Sequence, residues 1–142
     1  MVVVDVNVLI YAVDKESPLH EPARSWLDQA MSGGEPVGFA WSVLLAFIRL
    51  TTSSAIFAHP VTPGEAVDVA RGFIGRSASV LLEPGIRHLD LLHGLLSETG
   101  AAGNLVNDAH LAALALAHGA RVVTFDNDFG RFGVPWERPG AA

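Results

Sequence analysis

Three acids in this chain each follow or open a segment that could deliver them to one place. Asp5 ends the apolar run VVV at 2–4, Asp126 ends RVVTF at 121–125, and Asp108 stands two residues after Val106 at the start of a helical pattern. Carboxylates brought together repel one another, and one or two divalent cations would remove that conflict. Ligand sets made only of oxygen suit Mg2+ or Mn2+. A cation held by acids beside a phosphodiester favours attack of water on phosphorus, because it lowers the pKa of the water and neutralises the phosphate. Taken singly, each acid has a plainer role: Asp5 as a turn residue, Asp108 as a helix cap, and the DND at 126–128 as an Asx turn. Their common placement carries the joint reading, since open α/β sheets build their sites beyond the carboxyl ends of the strands.

The elements that must position these acids alternate along the chain. Short apolar runs at 2–4, 37–40, 79–84 and 121–125 read as strands, the first buried on both faces as in a parallel sheet. Helical spacing occupies the intervals. Glu21 to Met31 carries Ala23, Trp26, Leu27 and Ala30 on one face, and a helix over 41–52 carries Val43, Phe47 and Leu50. Thr62, Pro63 and Glu65 make a capped start for a helix running to Ile74. Ile86 to Glu98 reads as helix, and Asn7 can cap a short helix after the first strand. In the last third, Leu111, Ala112, Ala115 and Leu116 form an apolar stripe that Leu114 widens, and Gly119 can end that helix in the left-handed conformation. Strands alternating with helices predict an α/β fold in three layers, with a mainly parallel central sheet. The expected organisation is one domain over 1–138 with a flexible end at 139–142.

Composition narrows the setting. The chain has 142 residues, half of them apolar, enough for a core and against disorder. It has no cysteine, which excludes disulfides and Cys-ligated zinc. The apolar start lacks a basic flank and contains Asp5 and Asn7, so neither a signal peptide nor a membrane span is expected; a cytoplasmic protein is. Nine Lys and Arg against fifteen Asp and Glu give a net charge of −6, and Lys15 is the only lysine. General attraction for nucleic acid is therefore weak, although acids neutralised by cations remain compatible with a nuclease.

Other polar residues are less telling. His110 lies two residues from Asp108 and points elsewhere on the helix. His88 and His93 make no useful i, i+4 pair, and His118 suits a helix C-terminus. Trp26, Trp41 and Phe47 fall on apolar patterns that suit a core or a contact between copies. Arg49, within an apolar helix, is either a surface ion-pairing residue, the simpler role, or a contact to phosphate or a site acid.

Four segments in order, DVNVLIYA at 5–12, WSVLLAFIRLTT at 41–52, GNLVNDAHLAALALAHGA at 103–120 and VVTFDNDFGRF at 122–132, resemble the PIN-domain ribonucleases, most nearly the mycobacterial-type VapC toxins of type II toxin–antitoxin systems. The resemblance covers nearly the whole chain. It implies a Mg2+-dependent endoribonuclease, with Mn2+ as a substitute, in which Asp5, Asp108 and Asp126 bind the metal and Asp128 is an auxiliary acid. It gives Asn7 the role of supporting the first loop, and it puts Thr124 within reach of an acid or a water. It implies an RNA substrate, a homodimer, and neutralisation by a VapB-like antitoxin, through which promoter DNA is contacted indirectly. The chain departs from the family at two positions. Ala46 stands where a glutamate is usual, three residues before Arg49, so Asp128 or water would have to complete a metal shell; Glu35 precedes the second strand and is badly placed for it. Phe125 stands where many relatives carry a small hydroxyl residue.

Ala46 motivates the rival expectation of a catalytically weakened protein that keeps the fold and acts by binding antitoxin or RNA. A phospho-receiver domain would need paired acids at the first strand and a late lysine. A haloacid-dehalogenase phosphatase would need a second acid in place of Asn7. Neither pattern is present.

Overall fold

The computed structural model describes residues 1–141; Ala142, the last residue of the expected flexible end, lies outside the described residues. Five strands form: β1 (Val2–Val4), β2 (Val37–Ala40), β3 (Ser79–Leu82), β4 (Arg121–Val123) and β5 (Trp136–Glu137). They pair in the order β3-β2-β1-β4-β5, every pair parallel. All three valines of β1 are buried, as a central strand covered on both faces requires. Val3 sits opposite Gly38 on one side and Val122 on the other. A Cβ at Gly38 would lie 2.7 Å from the end of the Leu82 side chain on the next strand, which would then have to shift.

The helices are α1 (Val6–Val13), α2 (His20–Ser32), α3 (Trp41–Thr51), α4 (Pro63–Ile74), α5 (His88–Thr99) and α6 (Leu105–Ala117), followed by a short 3-10 helix at Asn127–Phe132. The chain starts in the middle of the sheet, runs through β2 to the edge at β3, and crosses back past β1 to β4. Parallel crossovers are right-handed, so reversing direction moves the later helices to the opposite face. Accordingly α1 packs on α2 and α3, α3 packs on α4, and α5 packs on α6. The outcome is the expected three-layer α/β/α fold with a parallel sheet. The reversal opens a crevice between the carboxyl ends of β1 and β4, which is where open α/β folds bind ligands.

Several local expectations are corrected. Asp5, not Asn7, is the N-cap of α1. α6 begins at Leu105, so Asp108 lies inside its first turn and Asn104 occupies the cap position. β3 stops at Leu82 and β4 at Val123, each two residues short of its apolar run. Leu116 is exposed, and the buried face of α6 runs instead through Ala109 and the residues from Leu111 to Ala115. Gly119 does take the left-handed conformation, at φ +60°. β5 had no periodic signal, being two residues between Pro135 and Pro139.

The amino end of the sheet is tied by charge. Arg121 bonds Glu35 through both terminal nitrogens, at 2.6 and 2.8 Å, and Glu137 through Nε at 2.8 Å. The guanidinium holds the Glu35 carboxyl down at about 2. Glu35 is thereby committed to the end of the sheet remote from the crevice. Among the described residues, no helix is long and apolar enough to cross a membrane.

Candidate functional site

Asp5 reaches the crevice because β1 ends and α1 begins at the same residue. Its amide still bonds Val123 O of the neighbouring strand, at 3.0 Å, while its side chain already caps α1 by accepting from Val6 N at 2.7 Å. Asp5 is 8% exposed. Its second oxygen accepts from the Thr124 hydroxyl at 2.7 Å and from Asn7 Nδ2 at 3.2 Å. Burial pushes the Asp5 carboxyl up; the bonds from Thr124, Val6 and Asn7 oppose this, and the charge of Asp126 adds to it.

Thr124 is fully buried and joins the two strand ends. Its oxygen donates to Asp5 and accepts from Asn7 Nδ2 at 3.1 Å and from Asp126 N at 3.0 Å. Asn7 completes the clamp, its Oδ1 accepting from Phe125 N at 3.1 Å. Thr124 and Asn7 therefore position Asp5 and the Asp126 loop relative to each other. Thr124→Val would leave a buried carboxylate oxygen without its shortest donor, and a loss of roughly 1–3 kcal/mol of stability is expected. Thermal unfolding of the variant checks this; an unchanged midpoint would deny the clamp any structural role.

Asp126 caps the 3-10 helix by accepting from Asp128 N at 2.8 Å. Asp128 lies in the first turn of that helix, exposed and paired with Arg131 at 3.1 Å. Asp108 comes from the other layer, on α6. Its carboxyl is raised to about 6, first by burial and then by the charges of Asp5, Asp126 and Asp128, against a smaller opposing pull from Arg131. Acids separated by more than a hundred residues in sequence thus share one electrostatic neighbourhood. They do not form a ready-made cage: among the described residues, no three His, Asp or Glu side chains are grouped so as to hold an ion on their own. Oxygens of Asp5 and Asp126 face protein donors.

Asp5 and Asp108 line a cleft of about 480 Å³ whose other wall is α3, with Ser42, Ala46 and Arg49 facing in. Arg49 lines this cleft and is exposed. Ala46 contributes only a methyl group to that wall. Asn104 and Asn107 of α6 also line the cleft. Nothing in the sequence singled them out; the signal available was their spacing of one turn from each other and next to Asp108.

Phe125 has a structural explanation. Its ring packs edge-on against Tyr11, with centroids 5.4 Å apart, and lies under the Arg138 guanidinium at 5.0 Å. Arg138 also donates to Phe125 O at 2.7 Å. The bulky side chain braces the loop from behind while its amide serves Asn7. His110 is turned from the cleft, as expected, but bonds His88 ring to ring at 2.8 Å, a pairing the sequence spacing did not suggest.

Comparison with known proteins finds relatives along nearly the whole chain. The PIN domain family model matches residues 2–135. The chain is 48% identical over 142 residues to Ribonuclease VapC37 of Mycobacterium tuberculosis, covering 99% of each chain. It is 34% identical over 140 residues to Ribonuclease VapC33 of the same species, covering 98% of each. Among solved structures, Mycobacterium tuberculosis VapC20, described as a Sarcin-Ricin loop cleaving toxin, superposes with a TM-score of 0.72 at 16% identity, covering 94% of this chain and 96% of that one. VapBC2 from Rickettsia felis, bound to a DNA fragment from its promoter, gives a TM-score of 0.68 at 19% identity, covering 97% and 98%.

Proposed function

The chain belongs to the PIN-domain family, among the VapC-like toxins of type II toxin–antitoxin systems, and from that membership we propose that it is a Mg2+-dependent endoribonuclease. The observation that supports this most directly is Asp108, held near 6 by burial and by the acids around it. A crowd of carboxylates at the switch point is a conflict that a divalent cation relieves. The donor set fits such a cation, being all oxygen. Absence of a complete three-acid cage is compatible with Mg2+, which commonly takes one or two carboxylates and fills its shell with water and substrate phosphate. Asp5, Asp108 and Asp126 would hold the ion, with Asp128 as a fourth, outer acid; Mn2+ would substitute.

Once bound, the ion supplies a water of lowered pKa and neutralises charge on the phosphodiester. The chain's own residues do the rest. Thr124 and Asn7 hold the Asp5 carboxylate against the Asp126 loop. Arg49 brings positive charge to a cleft that would otherwise repel RNA. Purified protein is expected to cut cellular RNA with Mg2+ or Mn2+ and to stop on chelation, with sequencing of new 5′ ends locating the cut. Absence of any cut across total RNA, with the fold intact, would favour instead the catalytically weakened binding protein that Ala46 suggests.

The partners follow from the same membership. The protein would be held inactive by a VapB-like antitoxin, and would reach promoter DNA only through it. Trp41 and Leu45 on α3 are 47% and 60% exposed, an apolar surface that suits a homodimer. Sedimentation at twice the chain mass is expected, with Trp41→Glu shifting it towards monomer; a wild type that sediments as monomer at micromolar concentration would refute the dimer. The proposed setting is cytoplasmic.

A further inference from the structure

The wall of the cleft away from the strand ends carries polar groups besides the acids, of which only the charge of Arg49 is used above. On α3, Ala46 and Arg49 stand nearly one turn apart; on α6, Asn104 and Asn107 do the same, with Asp108 next in line. These groups are not consumed within the protein. Arg49, like Arg76, Arg87 and Arg138, is in none of the ion pairs formed among the described residues. Asn104 holds the cap position of α6 yet makes no side-chain capping bond. Asn107, like Asn104 and Arg49, is exposed. The cleft volume of about 480 Å³ falls in the range of about 300–1,000 Å³ typical of small-molecule sites.

Each group has a counterpart in a nucleotide. A guanidinium grips phosphate with paired, charge-assisted bonds. A carboxamide offers a donor and an acceptor side by side. In single-stranded RNA the base edges are open to such contacts, and adenine matches a carboxamide through its N6 donor and N7 acceptor. Ala46 adds only a methyl group to the cleft lining on the same helix as Arg49.

We infer that Arg49, Asn104 and Asn107 form a nucleotide-reading subsite, in which Arg49 holds a phosphate neighbouring the cut and the two asparagines read the base attached to it. The inference rests on RNA being the substrate and deepens that reading by assigning the residues that set sequence preference. The two can fail separately, because binding is measured without turnover.

In the Asp5→Asn background with Mg2+ present, anisotropy is recorded with short unpaired RNAs that differ at one base. The adenine-containing RNA is expected to bind best. Asn107→Ala and Asn104→Ala are expected to bring the four RNAs to within about twofold of each other. Arg49→Ala is expected to weaken all of them about tenfold and to reduce the slope of log K against log salt by about 1. In the wild-type background, 5′-end sequencing should show the base beside the cut becoming less restricted in the asparagine variants. Discrimination and salt slope unchanged in all three variants, together with an unchanged cut-site profile, would overturn the subsite. Discrimination lost as expected in a protein that never cleaves would uphold the subsite and sink the catalytic reading instead.

Discussion

Asp5→Asn is expected to lower RNA cleavage by at least about a hundredfold, the scale on which loss of one preorganised charge-stabilising group acts, while leaving the fold in place. The choice of asparagine matters. Asp5 caps α1 and accepts from Val6, Thr124 and Asn7 in a site that is almost closed to water. Alanine would delete every one of these acceptors. Lost capping costs about 1 kcal/mol and each stranded donor about 1–3 kcal/mol, so an inactive alanine variant could be inactive through unfolding. Asparagine keeps one oxygen for the Val6 amide and loses only the bonds from Thr124 and Asn7 to the other oxygen. It also removes a negative charge that raises Asp108. The metal-free variant is therefore expected to melt no more than a few degrees below wild type while its cleavage collapses. Wild-type cleavage by a well-folded Asp5→Asn protein would remove Asp5 from the chemistry.

The same residue shows why the sequence was readable at this site. Asp5 and Asp126 could be placed because a buried parallel strand has a distinctive run of apolar residues, and the residue that ends it falls at the sheet's carboxyl edge. Asp108 could be placed because its helix carries a long apolar face. What connects them was not legible. Thr124 joins Asp5 to the Asp126 loop through one oxygen, a bond across 119 positions in the chain that no local pattern encodes. Phe125 looked out of place in sequence because its partners, Tyr11 and Arg138, lie on α1 and beyond β5. β5 itself is too short to show alternation and forms because Val122 and Val123 present an open edge to it. The helix starts at Asp5 and Asn104 were misjudged for a common reason. A cap is chosen by backbone direction as much as by residue type, and Asn7 and Asp108 are good caps standing inside the first turn.

Metal affinity is expected to rise steeply with pH up to about 6 and to level off above it. Asp108 titrates near 6 in the folded chain, against an ordinary value of 3.8. Below that point the ion must displace a proton from Asp108, so the apparent Kd should rise by up to tenfold for each pH unit lost, the limit for one proton released. Stability of the metal-free protein moves the other way. A carboxyl raised on folding binds its proton more tightly in the native state, so its contribution is fully present below 3.8 and is lost as pH rises through 6. The full shift corresponds to at most about 3 kcal/mol, and solvent around a half-buried group reduces it to about 1–2 kcal/mol. Denaturant unfolding between pH 4.5 and 7, with and without millimolar Mg2+, reads both effects at once. Without the ion, the Asp108 contribution should decline across this window; with it, the decline should vanish near neutral pH. Asp108→Asn should flatten the metal-free profile and cost most of the Mg2+ response. A wild type whose stability shows the same pH dependence with and without Mg2+ would mean that the cation does not meet Asp108.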